Sequence, residues 1–429
     1  MQISINPPKK DWTSLLERPA MEVQQLDEIV SAVLRDIQEN GDAAVTKYTS
    51  QFDGVDLEQF LVSEEEIEAA KLAVPEDLKA AIQVAKTNIE AFHRQQRSTV
   101  EIVETMPGVK CWRKSVGIQK VGLYVPGGTA PLFSSVLMLG VPAIIAGCQE
   151  IVLCSPPAKD GGLHPAIIYA ADLVGVHKIF KIGGIQAIAA MAYGTQTVPQ
   201  VYKIFGPGNQ YVTAAKQMVS RAGIAIDMPA GPSEVLVCAD QTADPSFVAA
   251  DLLSQAEHGV DSQVVLVAFS SEFIKEVETA LSEQLAKLPR KEIAAKALEN
   301  SAAIVINTRS EALDMINLYA PEHLILALED VTSFSEGIIN AGSVFLGNYT
   351  PESVGDYASG TNHTLPTNGF AKAYSGVSVD SFVKKITFQQ ITAAGLQELG
   401  PSVEKMASAE DLIAHKEAVS IRLRRIKQQ

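Results

Sequence analysis

Residues 120–128 read KVGLYVPGG, a strand-like apolar run (Lys120–Val125) that ends at once in a proline and two glycines. Three later runs have the same form, and a helical pattern follows each of them: Glu150–Cys154, Lys178–Ile182 and Val201–Phe205. They end in Ser155-Pro156-Pro157, Gly183-Gly184 and Gly206-Pro207-Gly208. Apolar runs that alternate with helical patterns predict βαβ units and a parallel sheet. The fold class is therefore α/β.

The breaks after these strands indicate where a ligand would bind. Ligands of open α/β sheets lie beyond the carboxyl ends of the strands, where glycine lets backbone N–H groups approach a phosphate. Strand-to-helix turns use glycine and proline in any case, so the signal is not specific. The chain has no intact GxGxxG, since Tyr211 stands where a third glycine would follow Gly206 and Gly208. The sequence thus predicts a nucleotide crevice of an atypical kind.

A second α/β stretch follows the first. Its predicted strands are Glu234–Cys238, Gln263–Phe269, Ala303–Ile306 and Ser343–Leu346. Asp244 caps a helix that has Pro245 at its first position, an arrangement typical of helix starts. Residues 1 to about 100 read as helical, with a capping box at Ser63 and Glu66 and a further helix start at Pro75.

The whole pattern predicts two similar, incomplete Rossmann-like domains with parallel sheets. We expect an N-terminal helical arm (1–25), a first α/β domain (26–120 with 234–375), a second α/β domain (121–233) and a small C-terminal domain (376–429). The last of these ends in a predicted helix, Ser402–Lys427. The evidence for two sheets is their succession along the chain, since no internal repeat is strong enough to prove a duplication.

Composition narrows the possible partners. The 429 residues carry 35 Lys and Arg against 50 Asp and Glu, and the net charge of −15 disfavours nucleic acid and anionic lipid surfaces. The longest apolar run, 136–148, is shorter than the roughly 20 residues that a membrane span needs, and it predicts a buried helix. The N-terminus has no apolar leader, and the four cysteines form no CxxC pair. We expect a cytoplasmic protein with reduced core thiols.

The segment Ser254–Gly259, which reads SQAEHG, is a candidate metal site. A spacing of three places Gln255 and His258 on one helical face, so an amide oxygen and an imidazole nitrogen could meet one ion. Alone, such a pair is more often a capping or core arrangement. Asp356 and His415 could complete a mixed nitrogen and oxygen set that suits zinc, but spacing cannot establish that grouping.

Glu322 and His323 form a candidate acid–base pair directly after Pro321. They could offer two bases of different pKa, one for a water and one for a hydroxyl proton. A random Glu-His pair is more often a solvated surface dipeptide, but the apolar flanks favour a desolvated pair. The polar loop 359–367 could line the same site, whereas His93, His164 and His177 are interpreted as structural.

At these residues the chain resembles the histidinol dehydrogenase family over nearly its whole length. The matching segments are VGLYVPGG (121–128), GPGN (206–209), AGPSE (230–234), SQAEHG (254–259), APEHL (320–324) and GTNHTLPT (360–367). The resemblance implies a four-electron oxidation of L-histidinol to L-histidine through histidinaldehyde, with two NAD, as the final steps of histidine biosynthesis.

The resemblance also implies a role for individual residues. It implies one zinc ion per subunit, held by Gln255, His258, Asp356 and His415. It implies NAD contacts from Tyr124, Gln186 and Asn209, and substrate contacts from Ser233, Gln255, His258, His323, Asp356, Glu410 and His415. Glu322 and His323 would be the acid–base pair. The C-terminal helix would reach the partner's active site in a homodimer.

Two other functions fit parts of the pattern. A zinc-dependent hydrolase could use Glu322 and a metal to activate water, but it leaves the Gly/Pro strand ends unexplained. A non-catalytic protein that binds a small molecule could keep the crevice, but it would not need Glu322 and His323 beside a metal. Formation of NADH from an amino alcohol would separate both from the dehydrogenase.

Overall fold

The computed structural model describes residues 1–19, 23–127 and 131–428. Its strands are β1 (Gln2–Ile5), β2 (Ile102–Met106), β3 (Val109–Gly117), β4 (Lys120–Tyr124), β5 (Glu150–Ser155), β6 (Lys178–Lys181), β7 (Lys203–Phe205), β8 (Ala225–Ile226), β9 (Glu234–Ala239), β10 (Gln263–Ala268), β11 (Ala302–Val305), β12 (His323–Ala327), β13 (Ser343–Leu346) and β14 (Val383–Ile391).

The α-helices are α1 (Trp12–Leu15), α2 (Val23–Asn40), α3 (Asp42–Tyr48), α4 (Glu64–Ala73), α5 (Glu76–Arg94), α6 (Phe133–Ala146), α7 (Pro165–Val174), α8 (Gly184–Tyr193), α9 (Gln210–Arg221), α10 (Pro245–Ala256), α11 (Ser271–Leu285), α12 (Lys291–Glu299), α13 (Arg309–Tyr319), α14 (Val331–Ser335), α15 (Glu352–Tyr357), α16 (Ala393–Ala409) and α17 (Ile413–Ile426). Short 3-10 or π turns lie at Lys9–Asp11, Thr49–Asp53, Phe370–Lys372 and Val379–Phe382. None of the described helices is both long and apolar enough to cross a bilayer.

The chain forms two compact units. The large unit comprises residues 1–96 and 118–382, and the small unit comprises residues 97–117 and 383–429. The large unit contains a five-stranded sheet of order β6-β5-β4-β7-β8 and a six-stranded sheet of order β1-β11-β10-β9-β12-β13. Every strand pair in these two sheets is parallel. The α/β class and the two parallel sheets are therefore confirmed.

The apolar runs and helix caps of the sequence correctly predict the positions of strands and helix starts. All eight predicted strands are present, with ends within two residues of those predicted. Ser63 and Glu66 form the capping box of α4, and Asp244 caps α10. Pro75 precedes α5 as its N-cap. The buried helix predicted at 136–148 is α6.

The N-terminal segment differs from the prediction, because residues 1 to about 100 are not all helical. Gln2–Ile5 forms β1, which pairs with β11 at the edge of the six-stranded sheet. A run of four residues is too short to show a two-residue period. Trp12, at the start of α1, is buried in a core formed with the six-stranded sheet, together with residues such as Leu236 of β9.

The helices between residues 23 and 94 pack against the five-stranded sheet. Ile37 of α2 lies in one core with Ile188, and Ile89 of α5 lies in another with Leu123. The sequence grouped 26–120 with 234–375, and the division into domains stays a prediction. The packing nevertheless favours placing these helices with the second α/β domain. An amphipathic pattern shows that a helix has an apolar face but not which sheet covers it.

The small unit has an antiparallel sheet of order β14-β3-β2 and the helix pair α16 and α17. The single helix predicted at Ser402–Lys427 is wrong, because the chain breaks between α16 and α17. Asp411 lies in this break with φ of 55°, in the left-handed region. Aspartate adopts that conformation more readily than most residues, and it ends a right-handed helix.

The three histidines interpreted as structural lie outside the cleft described below. His93 is buried, and its Nδ1 bonds to the carbonyl oxygen of Ile89 at 2.8 Å. His164 caps α7 through its side chain, and His177 lies 3.7 Å from Asp172.

Candidate active site

A cleft of about 800 Å³ lies between the two parallel sheets of the large unit. On one wall the chain leaves the carboxyl ends of β4 and β7, at Tyr124 and Gly206. On the other wall it enters the amino ends of β9 and β12, at Ser233 and His323. The structure therefore has a crevice at the carboxyl ends of strands, as predicted. The amino ends of strands from the second sheet form its other wall.

Most of the predicted site residues line this cleft. They are Tyr124, Gln186, Asn209, Ser233, Gln255, His258, Glu322, His323 and Asp356. The polar loop contributes His363, Thr364, Leu365 and Thr367. Glu410 and His415 are exposed residues of the small unit. Gly128, the last residue of the first Gly/Pro break, lies outside the described residues.

Glu322 and His323 are buried, with only 6% and 3% of their surfaces exposed. The Nδ1 of His323 lies 3.6 Å from Glu322 Oε2, and its Nε2 lies 3.2 Å from Asp356 Oδ1. The backbone of Glu234 binds both members of the pair. Its N–H donates to Glu322 Oε2 at 2.9 Å, and its carbonyl oxygen accepts from His323 Nδ1 at 3.4 Å.

A turn before β12 delivers the pair to the cleft. Helix α13 ends at Tyr319, and its C-cap Ala320 has a φ of 54°, in the left-handed region that alanine rarely adopts. The chain then enters β12, and the N–H of Ser343 fixes the carbonyl oxygen of Glu322 at 2.9 Å. This conformation costs on the order of 1 kcal/mol, which the surrounding packing must offset.

The charges around His323 decide its proton affinity. Burial lowers the pKa of the imidazole, but the carboxylates of Glu352, Glu322 and Asp356 together raise it well above its usual range. Burial, with Asp356 and Glu322 nearby, raises the pKa of Glu352 to about 8, although His323 opposes the shift. The three carboxyl groups around His323 thus carry more negative charge than the imidazole alone can balance.

The donor groups at this centre fit a divalent cation. His323, Glu352 and Asp356 each offer a ligand atom, and these atoms lie within 4.8 Å of one another. Gln255 can turn its amide so that the nitrogen donates to Glu352 and the oxygen accepts from the N–H of Glu234. His258 lines the same cleft. A set of imidazole nitrogens and oxygens beside excess carboxylate charge suits zinc.

Glu352 was missed by sequence reasoning. It is 1% exposed and lies four residues before Asp356 on α15, so the two carboxylates share one helical face. The spacing of four was the only sequence signal for Glu352. The segment TPESVGDY (350–357) is polar and turn-like, so it was not interpreted as a buried helix. Asp53 was also missed, since nothing in its local sequence sets it apart.

The opposite wall of the cleft offers polar groups to a cofactor. The hydroxyl of Tyr124 accepts from the N–H of Gly184 at 3.1 Å, and Gln186 Nε2 donates to Asp53 Oδ2 at 3.0 Å. Gln186 Oε1 is buried, and no residue that the structure describes forms a hydrogen bond to it. Asn209 caps α9, and its side-chain oxygen accepts from the backbone N–H groups of Tyr211 and Val212. Burial raises the pKa of Asp53 to about 6, against the hydrogen bond from Gln186.

The loop after β7 lies against the end of β4. Gly206 has φ of 121°, and a Cβ there would lie 2.0 Å from the carbonyl oxygen of Tyr124, so only glycine fits. Lys216 donates to the carbonyl oxygen of Gly206 at 2.7 Å and pairs with Asp227, which accepts from the N–H of Gly206. This buried pair fixes the loop at the start of α9.

Helices α6, α8 and α9 all begin at this wall, and residues of their first turns line the cleft. Helix N-termini favour phosphate groups, and the amide oxygen of Gln186, which bonds to none of the described residues, offers an acceptor for a ligand donor. A nucleotide placed here would face Glu322 and His323 across the cleft. The fold and the cleft therefore define the class as an α/β protein with a crevice suited to a nucleotide and a buried acid–base pair facing it.

Comparison with known proteins identifies the family. The family model for histidinol dehydrogenase matches residues 16–423. Relatives named histidinol dehydrogenase from Bacteroides thetaiotaomicron and Bacteroides fragilis are 60% and 57% identical over 427 residues, covering 100% of both chains. The crystal structure of histidinol dehydrogenase from Elizabethkingia anophelis is similar with a TM-score of 0.97 and 55% identity, covering 100% of this chain and 99% of that chain. The chain belongs to the histidinol dehydrogenase family, and the resemblance seen in the sequence is confirmed.

Proposed function

We propose that this chain oxidises L-histidinol to L-histidine through histidinaldehyde and transfers two hydrides to two successive NAD molecules. The observation that carries the proposal is the buried Glu322–His323 pair, which faces three helix N-termini across one cleft. Family membership supports both the substrate and the use of NAD. The role is in the final steps of histidine biosynthesis.

In the first step neutral His323 accepts the proton of the substrate hydroxyl while the carbinol carbon gives its hydride to NAD. The cation proposed below would compensate the carboxylates that raise the pKa of His323, and it would so favour this neutral form. The carbonyl oxygen of Glu234 holds the ring through Nδ1, so Nε2 faces the cleft beside Asp356. Ser233 and Asp356 line the space for the substrate. A base held in this way contributes about 10²–10⁴-fold to the rate.

In the second step Glu322 removes a proton from water as the water oxygen adds to the aldehyde carbon. The tetrahedral anion so formed gives its C–H hydrogen as hydride to a second NAD, which leaves the carboxylic acid, and the acid then loses its proton to water to give the carboxylate. Water supplies the added oxygen, so the reaction needs no thiol. Cys154 and Cys238 are accordingly buried core residues, and burial raises the pKa of both thiols.

We propose that the metal is one zinc ion per subunit, held by Gln255, His258 and Asp356 together with the partner subunit's His415. The cleft position of the first three and their mixed nitrogen and oxygen donors support this assignment. When bound, zinc supplies a template for the imidazole and amine of histidinol, which orients the carbinol carbon. Glu352 would hold the amide of Gln255 in place.

The test is the absorbance of NADH formed from L-histidinol by the purified protein, before and after a chelator and with zinc added back. We expect two NADH per histidinol, lost on chelation and restored by zinc. One NADH would leave a dehydrogenase that does not carry the aldehyde onward. No NADH from zinc-loaded protein would contradict the proposal and favour the hydrolase or the binding protein.

We also propose a homodimer in which Glu410 and His415 of one chain complete the site of the other. Apolar side chains exposed on the small unit support an interface there: Ile102, Val103, Ile386, Phe388 and Ile391. Both Glu410 and His415 are exposed on the same unit. The cytoplasm is the proposed compartment, because the four cysteines are free thiols.

Subunit mixing tests the shared site. His415→Asn and His323→Asn proteins are each expected to be inactive, whereas a mixture after subunit exchange regains about a quarter of wild-type activity, because each mixed dimer keeps one intact site. The measurement is NADH formation after refolding the two proteins together. Mixed dimers proven by mass spectrometry that stay inactive would contradict the shared site.

A further inference from the structure

Arg18, near the end of the N-terminal arm, binds a buried carboxylate behind the acid–base pair. Its guanidinium donates through Nε and Nη2 to the two carboxylate oxygens of Glu234, the second bond being 2.9 Å. The side chain of Glu234 is 2% exposed. Such a two-pronged contact fixes orientation as well as charge, which lysine cannot do.

Arg18 also binds the segment that precedes Glu322. Its Nη2 donates to the carbonyl oxygen of Tyr319 at 2.8 Å, and its guanidinium lies 3.9 Å from the centre of the Tyr319 ring. The hydroxyl of Tyr319 donates to Gln263, whose amide donates to the carbonyl oxygen of Glu17. One side chain of the arm is thus joined to both segments that carry the acid–base centre.

The contacts continue from Glu234 to the reacting groups. The backbone N–H of Glu234 holds Glu322, and its carbonyl oxygen holds His323. Arg18 itself is not among the described residues that line the cleft. Any influence on the reaction must therefore pass through Glu234 and Tyr319.

Stability alone is a weak reason for this arrangement. A buried ion pair can often be replaced by apolar residues of similar volume without loss, so its presence favours a role in geometry. A displacement of about 1 Å in a catalytic group can cost on the order of 10²-fold in rate. Glu322 and His323 both form a hydrogen bond to the backbone of one residue, Glu234, so a shift of that residue would move both.

We propose that Arg18 is a positioning residue for the oxidation, and that it fixes Glu322 and His323 through Glu234 and Tyr319. This inference rests on the proposed function, because it assumes that the pair carries the proton transfers. It assigns the N-terminal arm a part in turnover without any contact to the substrate.

The test uses zinc-loaded, full-length Arg18→Met. We expect kcat for histidinol to fall by about 10–100-fold, while KM changes by less than about threefold, because Gln255, His258 and Asp356 still hold the substrate. Relative to Arg18→Met, Arg18→Lys should recover most of the wild-type melting temperature but little of the wild-type kcat, because lysine restores the charge but not the two-pronged contact. Lys9→Met is the matched control, since it breaks an exposed ion pair of the same arm with Asp314, and both parameters should stay at wild-type values.

The double variant Arg18→Met with Glu234→Gln covers the case in which the single variant unfolds. It removes the lone buried charge, so the protein should fold, and kcat should stay low if positioning is the role. A wild-type kcat in folded Arg18→Met or in the folded double variant would overturn the proposal, whether or not KM rises. Failure of the proposed function is distinguishable, because wild-type protein would then form no NADH.

Discussion

The His323→Asn enzyme is expected to bind histidinol but to lose about 10²–10⁴-fold in kcat. Asparagine cannot accept the hydroxyl proton, yet its amide can still donate to the carbonyl oxygen of Glu234, as His323 Nδ1 does. Initial rates of NADH formation give kcat, and calorimetry with histidinol and no NAD gives the dissociation constant. Unchanged binding with lost turnover would also exclude a protein that only binds its ligand.

His363→Asn is the matched control for this experiment. His363 lines the same cleft, but its ring bonds to Ser135 Oγ and to the backbone oxygen of Asp356 rather than to a catalytic carboxylate. We expect its kcat to fall by less than about tenfold. Equal losses in the two variants would remove His323 from its role as the base.

Glu322→Gln should separate the two oxidation steps. We expect the aldehyde step to slow by about 10²-fold or more, because only that step needs activated water, and the alcohol step to slow by less than about tenfold. Glutamine keeps an oxygen that can accept from the N–H of Glu234, so the fold around the pair is preserved. Single-turnover measurements with histidinol and with histidinaldehyde give the two rates.

Glu329→Gln controls for removal of a carboxylate from the same region of the chain. Glu329 is exposed beyond the opposite end of β12, outside the cleft, and neither step should change. Equal slowing of both steps by Glu322→Gln would show that Glu322 acts on the alcohol step as well. The assignment of Glu322 to water activation would then be wrong.

Short-range patterns account for what the sequence predicts well. Buried parallel strands are continuous apolar runs, so Lys120–Tyr124 and Glu234–Ala239 stand out between their turns. The apolar flanks of Glu322 and His323 indicate burial, and both are buried. Helix caps such as Asp244 depend on neighbouring residues only, and they lie where the sequence places them.

Long-range contacts account for the rest. Arg18 and Glu234 are separated by 216 positions, and no local pattern relates them. Glu352 lies in a segment that resembles a surface turn until the fold brings His323 against it. The pairing of β1 with β11 likewise depends on a sheet assembled from distant segments. Such contacts are decided by which apolar faces pack together, and periodicity does not encode that choice.

The opposed walls of the cleft bear on how a reaction with two cofactor molecules can proceed. The groups assigned to NAD lie at the ends of one sheet, and those assigned to histidinol and its proton transfers lie at the ends of the other. Under the proposed assignments, spent NADH would be exchanged for fresh NAD from its own wall while the intermediate stays on the facing one. A reactive amino aldehyde, which would otherwise condense with amines, would then never need to enter the surrounding solution.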